Sequence, residues 1–165
     1  MKDKKFVIGV FVVTALLLAG GVYAAMNLSA SPGAVVEQVL EAKANIVERA
    51  ADFGEVPLDG GNVVKVFTVE NTGEGELTLA NFTTSCMCTT VKVKTAAGES
   101  IDFGMHTKSK WQGKISPGEK GEVVVTFDPA FHGPSGKGSI TRMVKFETND
   151  SDNQEIELMM TGKVI

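Results

Sequence analysis

A chain of 165 residues suits one domain with a terminal appendage. Hydrophobic content of 43%, with 18 glycines and five prolines, fits a core broken by many turns, as an all-β fold needs. The 16 Lys and Arg against 20 Asp and Glu leave a net charge of −4, which excludes the basic face of a nucleic-acid binder. The recurring Lys92, Lys94, Lys108, Lys110, Lys114 and Lys120 read as a solvated face.

The chain opens with MKDKKFVIGVFVVTALLLAGGVYAAM. Lys2, Lys4 and Lys5 precede about 21 uncharged, mostly apolar residues, Phe6–Met26, enough to cross a hydrocarbon core as a helix. Lysines before the span and the acids Glu37 and Glu41 after it keep the N-terminus in the cytoplasm and send the rest across. Residues 1–26 are thus either an uncleaved signal anchor or a signal peptide cut after Ala24, where Val22-Tyr23-Ala24 has the spacing of a cleavage site. The length of the apolar run favours the anchor. The expected location is the cytoplasmic membrane, single-pass, with the domain outside; the alternative is a secreted or periplasmic domain. Either way the domain is exported. A buried helix of a soluble domain is disfavoured by the lysine flank and the lack of a polar stripe.

Residues 27–44 read as a linker and a spacer helix. NLSASPG (Asn27–Gly33) is small, polar and helix-breaking. Val35, Val36, Val39 and Leu40, interleaved with Glu37, Glu41 and Lys43, show a short helical period. It is too short for a coiled coil.

From Asn45 to Ile165 the period becomes two. An opening strand near Asn45–Arg49 is followed by Val63–Asn71, Leu77–Phe82, Thr89–Val93, Gly121–Pro129, Ser139–Asp150 and Glu155–Ile165. Val123, Val125 and Phe127 fall on one face of their strand; Ile140, Val144 and Phe146 on one face of theirs; Ile156, Leu158, Met160 and Val164 on one face of the last. About seven short strands separated by turn residues predict an immunoglobulin-like two-sheet sandwich. Phe53, Phe67, Phe82, Phe127 and Phe146 read as its core. The Cys…Trp…Cys spacing of true immunoglobulin domains is absent, because both cysteines precede Trp111. Lys94–Gly121 is weakly periodic. It predicts a hairpin around Ile101–Phe103 and an exposed loop carrying Met105, His106 and Trp111.

The order of short signals is familiar. Phe53-Gly54, Asn71-Thr72-Gly73, Leu77–Leu79, Cys86-Met87-Cys88-Thr89, Pro117-Gly118, Phe127-Asp128 and Thr148-Asn149 together resemble the bacterial family called domain of unknown function 1573 over about Asn45–Ile165. The resemblance implies an immunoglobulin-like domain of the Hydin type, exported and lipid- or membrane-anchored. Two departures stand out. Met87 replaces the glycine frequent between the cysteines, and Lys94–Gly121 is long.

Cys86 and Cys88 are the only cysteines. In an extended strand their Cα atoms would lie about 6.5–7 Å apart, at the edge of disulfide geometry, so a bond requires a turn or bulge. Three readings follow. The pair is a structural clip or a pair of small half-buried side chains. It is a soft-metal site, with copper as the metal and Met105, His106, His132, Met143 and Met159 as further candidate ligands; Met143 and Met159 have the outward parity of their strands. Or it is a thiol–disulfide exchange site, with Lys92 and Lys94 as nearby cations. Tetrahedral zinc is weaker, because only two histidines exist. His106 and His132 lack a nucleophile–acid set, so hydrolysis is not expected. GPSGKGS (Gly133–Ser139) reads as a hairpin turn, not a phosphate loop.

The reading as a whole is a membrane-tethered, extracytoplasmic, non-enzymatic interaction module without a cofactor. It meets the membrane through its N-terminal helix and a protein partner through its loops and edge strands, above all the loop bearing Trp111, a residue that reads equally as a cap on the open end of the sandwich. The alternative is an extracytoplasmic copper-binding or thiol-redox protein using Cys86 and Cys88.

Overall fold

The computed structural model describes residues 2–28 and 33–165. Two compact units result, an N-terminal helix and a domain from Gly33 to Ile165.

The helix α1 spans Lys2–Leu28. Its stretch Phe6–Tyr23 has a mean hydropathy of 2.4, and none of it is buried. The helix is long and apolar enough to cross a membrane. The Thr14 hydroxyl inside this stretch donates to the Val10 carbonyl at 2.9 Å, which satisfies it within the helix. The expected linker falls largely on residues 29–32, outside the described residues.

The domain is a sandwich of two five-stranded sheets. The strands are β1 (Ala44–Asn45), β2 (Ala50–Val56), β3 (Val63–Asn71), β4 (Leu77–Thr84), β5 (Thr89–Thr95), β6 (Gly98–Glu99), β7 (Gln112–Ile115), β8 (Lys120–Phe127), β9 (Gly138–Thr148) and β10 (Glu155–Val164). One sheet has the order β1-β3-β8-β5-β6, the other β2-β10-β9-β4-β7. Neighbours run antiparallel except β2, which lies parallel to β10. Alternation in the sequence becomes the core directly. Val123, Val125, Phe127, Ile140, Val144, Phe146, Ile156, Leu158, Met160 and Val164 are all buried. Phe82 stacks on Phe146 at 4.7 Å between ring centroids and lies 5.3 Å from Phe103. Each such buried ring contributes about 1.5–3 kcal/mol relative to exposure.

The spacer helix expected before Asn45 does not form. Ala42, Ala44 and Ile46 are buried, so the inward period there is two, while Val35 and Leu40 face solvent. The domain also claims the backbone. Val39 donates its amide to Asn149 O at 2.8 Å, Glu41 O accepts the amides of Glu74 and Gly75, and Lys43 O accepts that of Thr72. A helix would withdraw these groups from their partners.

Ten strands replace the expected seven. The opening strand is only Ala44–Asn45, after which the chain crosses to the other sheet as β2. The sequence ADFGEV hides β2 because it lacks clean alternation; Gly54 (φ 65°) and a register shift between Thr161 and Lys163 mark a bulge there. Lys94–Gly121 is not one long loop. Its first part returns on β5 through β6 and the bridge Val91–Phe103, and its last part is β7, paired to β4.

Buried polar residues tie the turns together. Asn71 donates to the carbonyls of Gly75 and Ile115 and accepts the Gly73 amide. Asn149 accepts the Thr78 amide at 2.8 Å and donates to Glu76 O. The fully buried Asp150 accepts the amides of Ala44 and Asp152 and the side-chain amide of Asn153.

Candidate thiol site at the β4–β5 turn

β4 ends at Thr84 and β5 begins at Thr89, so the chain must reverse over Ser85–Cys88. The Thr89 amide closes that turn on Cys86 O at 3.2 Å. The Thr84 hydroxyl, buried beneath it, lies within hydrogen-bonding distance of the carbonyls of Cys86 (2.9 Å) and Thr89 (3.1 Å). The turn brings the Cα atoms of Cys86 and Cys88 to 5.3 Å, and the two are joined as a disulfide. This is the turn that a Cys-x-Cys bond requires.

The two sulfurs have different surroundings. Cys88 is 3% exposed, packed with Phe127, Ile140 and Val164, while Cys86 is half-buried. Arg142 Nε lies 3.1 Å from Cys88 Sγ. Its guanidinium stands 5.4 Å from the centroid of the Phe127 ring, in cation–π range. Burial lowers the Arg142 pKa from its ordinary value, yet a guanidinium keeps its proton at any physiological pH. On the other side, His132 Nε2 is 3.4 Å from Cys86 Sγ. His132 sits on the β8–β9 connection just before the 3-10 turn Gly133–Gly136, with the Phe131 ring edge-on to it at 5.0 Å. That connection is anchored to the thiol turn, because the Asp128 amide donates to Cys88 O at 2.9 Å.

Ligand atoms of Cys86, Cys88 and His132 all lie within 4.8 Å of one another, a set suited to a soft ion when the sulfurs are reduced. His106 is outside this set. Met143 meets the turn through its backbone, exchanging hydrogen bonds with Ser85. Its side chain has the outward parity, opposite Met159, which is 39% exposed. Met105 is exposed, and its carbonyl accepts the Thr83 hydroxyl at 3.4 Å. Lys92 and Lys94 pair with Asp102 and Glu99, so each already has an acidic partner.

Trp111, expected either as a partner anchor or as a cap on the open end of the sandwich, is half-buried. Its ring meets Phe103 at 5.7 Å and Phe82 at 6.3 Å. It caps the end of the core, and Gly113 leaves room for it: a Cβ there would stand 2.5 Å from the indole.

Arg142 was missing from the sequence reading, though a signal existed. It shares the inward parity of Ile140 and Val144, and a charge at an inward position needs a reason.

Two antiparallel-rich sheets packed face to face, with Greek-key-like exchange of strands between them, define an immunoglobulin-like β-sandwich domain. The profile of the HYDIN/CFA65/VesB-like, Ig-like domain family matches residues 44–163, and the chain belongs to that family. No curated protein matches the chain. A protein of unknown function from Porphyromonas gingivalis is 18% identical with a TM-score of 0.57, over 81% of this chain and 50% of its own. PapD-like domain 7 of human CEP192 is 16% identical with a TM-score of 0.48, over 82% and 96%. The secreted serine protease VesC of Vibrio cholerae is 11% identical with a TM-score of 0.45, over 76% and 23%. The chain thus spans half the length of the Porphyromonas protein, and what it shares with that protein is the fold.

Proposed function

We propose that this protein is a membrane-tethered, non-enzymatic binding module that holds a partner protein outside the cytoplasm. The partner adds an extended segment to the open edge of β3. That edge is the observation carrying the reading. β8 pairs with one side of β3 from Val63 to Glu70, but β1 pairs with the other side only at Glu70 and Asn71. Among the described residues, no strand pairs with this outer edge over Val63–Val69. Its outward side chains Val64 and Val66 are 55% and 42% exposed. A free edge beside apolar side chains is what strand addition uses: main-chain hydrogen bonds for affinity, alternate side chains for choice.

The other edges suit this less. β6 has two residues, β7 has four, and β2 is bulged at Gly54. Lys65 has the inward parity of β3, and its Nζ is 2.7 Å from Glu48. An inward-pointing charge discourages pairing between like edges, so the occupant is a partner's strand and not a second copy.

α1 supplies the tether. The lysines at its start, ahead of the apolar stretch, and the acids after it orient the domain outward, whether the helix stays or is cut after Ala24. The motif order around Cys86 and Cys88 supports a finer place near domain of unknown function 1573.

The test is a photo-crosslinking residue at position 64 or 163 of the full chain in its native membranes. The reading predicts one discrete adduct from position 64, lost on Val66→Pro, and none from position 163. Adducts indifferent to Val66→Pro would refute it.

A further inference from the structure

We propose that Cys86 and Cys88 form a thiol–disulfide exchange site that oxidises dithiols of exported proteins, with Cys86 as the sulfur attacked and Cys88 as the leaving thiolate held by Arg142. The asymmetry of the pair carries this. Cys86 is half-buried and the more accessible of the two, while Cys88 is 3% exposed. The buried sulfur has Arg142 Nε at 3.1 Å and the Thr89 hydroxyl at 3.7 Å. A buried thiolate with no partner would be costly; a cationic N–H donor makes it a good leaving group. A pair serving only as a clip needs no cation on one sulfur and no imidazole on the other.

The step balances. A thiolate of the incoming dithiol attacks Cys86 Sγ. The new S–S bond forms as the Cys86–Cys88 bond breaks, and the electron pair leaves on Cys88 Sγ beside Arg142. The second thiol of the dithiol loses its proton to solvent and attacks the sulfur bonded to Cys86. Cys86 then leaves as a thiolate next to His132, whose Nε2 is 3.4 Å away. Both released thiolates take up protons. The dithiol is oxidised by two electrons to a disulfide, and Cys86 and Cys88 become two thiols. Arg142 is a positioning residue here, since it acts through Cys88.

The exchange is stoichiometric, one Cys86–Cys88 disulfide spent per dithiol, and it does not use the β3 edge, so either proposal can fail without the other. For the test, the oxidised full chain in detergent micelles is mixed with a synthetic peptide carrying two cysteines. Acid-quenched samples are read by mass spectrometry. The expected result is one peptide disulfide per protein and a transient mixed disulfide mapped to Cys86. Arg142→Met slows peptide oxidation about tenfold and Arg142→Lys restores most of it, because a cation beside the leaving thiolate returns. In the reduced single variants, oxidised glutathione captures Cys86 of Cys88→Ser about tenfold faster than Cys88 of Cys86→Ser. Mixed disulfides formed equally at both sulfurs would overturn the proposal. So would an Arg142→Met chain that is folded and oxidises the peptide at the original rate. A chain that oxidises no peptide but, once reduced, takes up Cu(I) supplied alone, and loses it on His132→Ala, would replace exchange with a metal site.

Discussion

The carboxylate of Asp150 accepts the amide of Ala44 at 3.0 Å, so the turn after β9 holds down the strand that opens the domain. Burial alone would raise the pKa of this carboxyl. Hydrogen bonds from Ala44, Asn153 and Asp152, with the charge of Lys43, outweigh burial and hold it below its ordinary 3.8. A depressed carboxylate contributes stability that is full above the unfolded value and lost as pH falls through the folded one. The wild-type domain therefore loses stability below about pH 4 more steeply than Asp150→Asn does. Asp150→Ala leaves the Ala44 amide unpaired and costs about 2–3 kcal/mol at neutral pH, read by urea denaturation of residues 33–165.

Gly73, in the β3–β4 turn, is a second point that fixes the opening segment. A Cβ at Gly73 would overlap the Glu41 carbonyl oxygen and stand 2.7 Å from the Lys43 amide nitrogen, both backbone atoms. Gly73→Ala must push that segment away and is expected to cost about 2 kcal/mol or more. Stability unchanged by this substitution would mean that residues 41–43 do not lie on the turn.

Trp111 separates two roles by stability. A purely exposed anchor could be truncated with no effect on folding. A cap over Phe82 and Phe103 cannot, and Trp111→Ala is expected to lower stability by roughly 2 kcal/mol, seen as a lower denaturation midpoint with an unchanged slope.

The tether makes a separate prediction. Intact mass of the chain recovered from membranes retains residues 1–24 if α1 is an anchor, and the domain is cut by protease added to the outside of spheroplasts. A mature N-terminus at Ala25, with the chain released on washing, would show a cleaved signal peptide.

Much of the sandwich was legible because alternation survives wherever a strand has one wet face. β3, β8, β9 and β10 read correctly to within a residue or two for that reason. β2 was hidden by its bulge and by a weak inward set, in which Ala51 and Phe53 are half-buried and only Val56 is buried. The segment 34–43 misled because Val35, Val36, Val39 and Leu40 imitate a helical stripe, while the backbone partners that decide its path, Thr72, Glu74 and Asn149, are distant in sequence. Asn71, Gly73 and Asn149 enter the sequence reading only as motif residues; burial of the two asparagines and the close backbone approach at Gly73 explain why those types are needed. At the thiol site the spacing implied a turn, but His132 and Arg142 arrive from β8–β9 and from β9, and strand parity alone hinted at the second.

The central claim is that a partner's strand occupies the outer edge of β3. Amide hydrogen exchange of the crosslinked membrane complex against the free chain tests it most directly. Strand addition predicts that alternate amides within Val63–Val69 become protected in the complex, while those of Lys108–Gln112 keep their free rates. Protection confined to Lys108–Gln112, with Val63–Val69 unchanged, would contradict it.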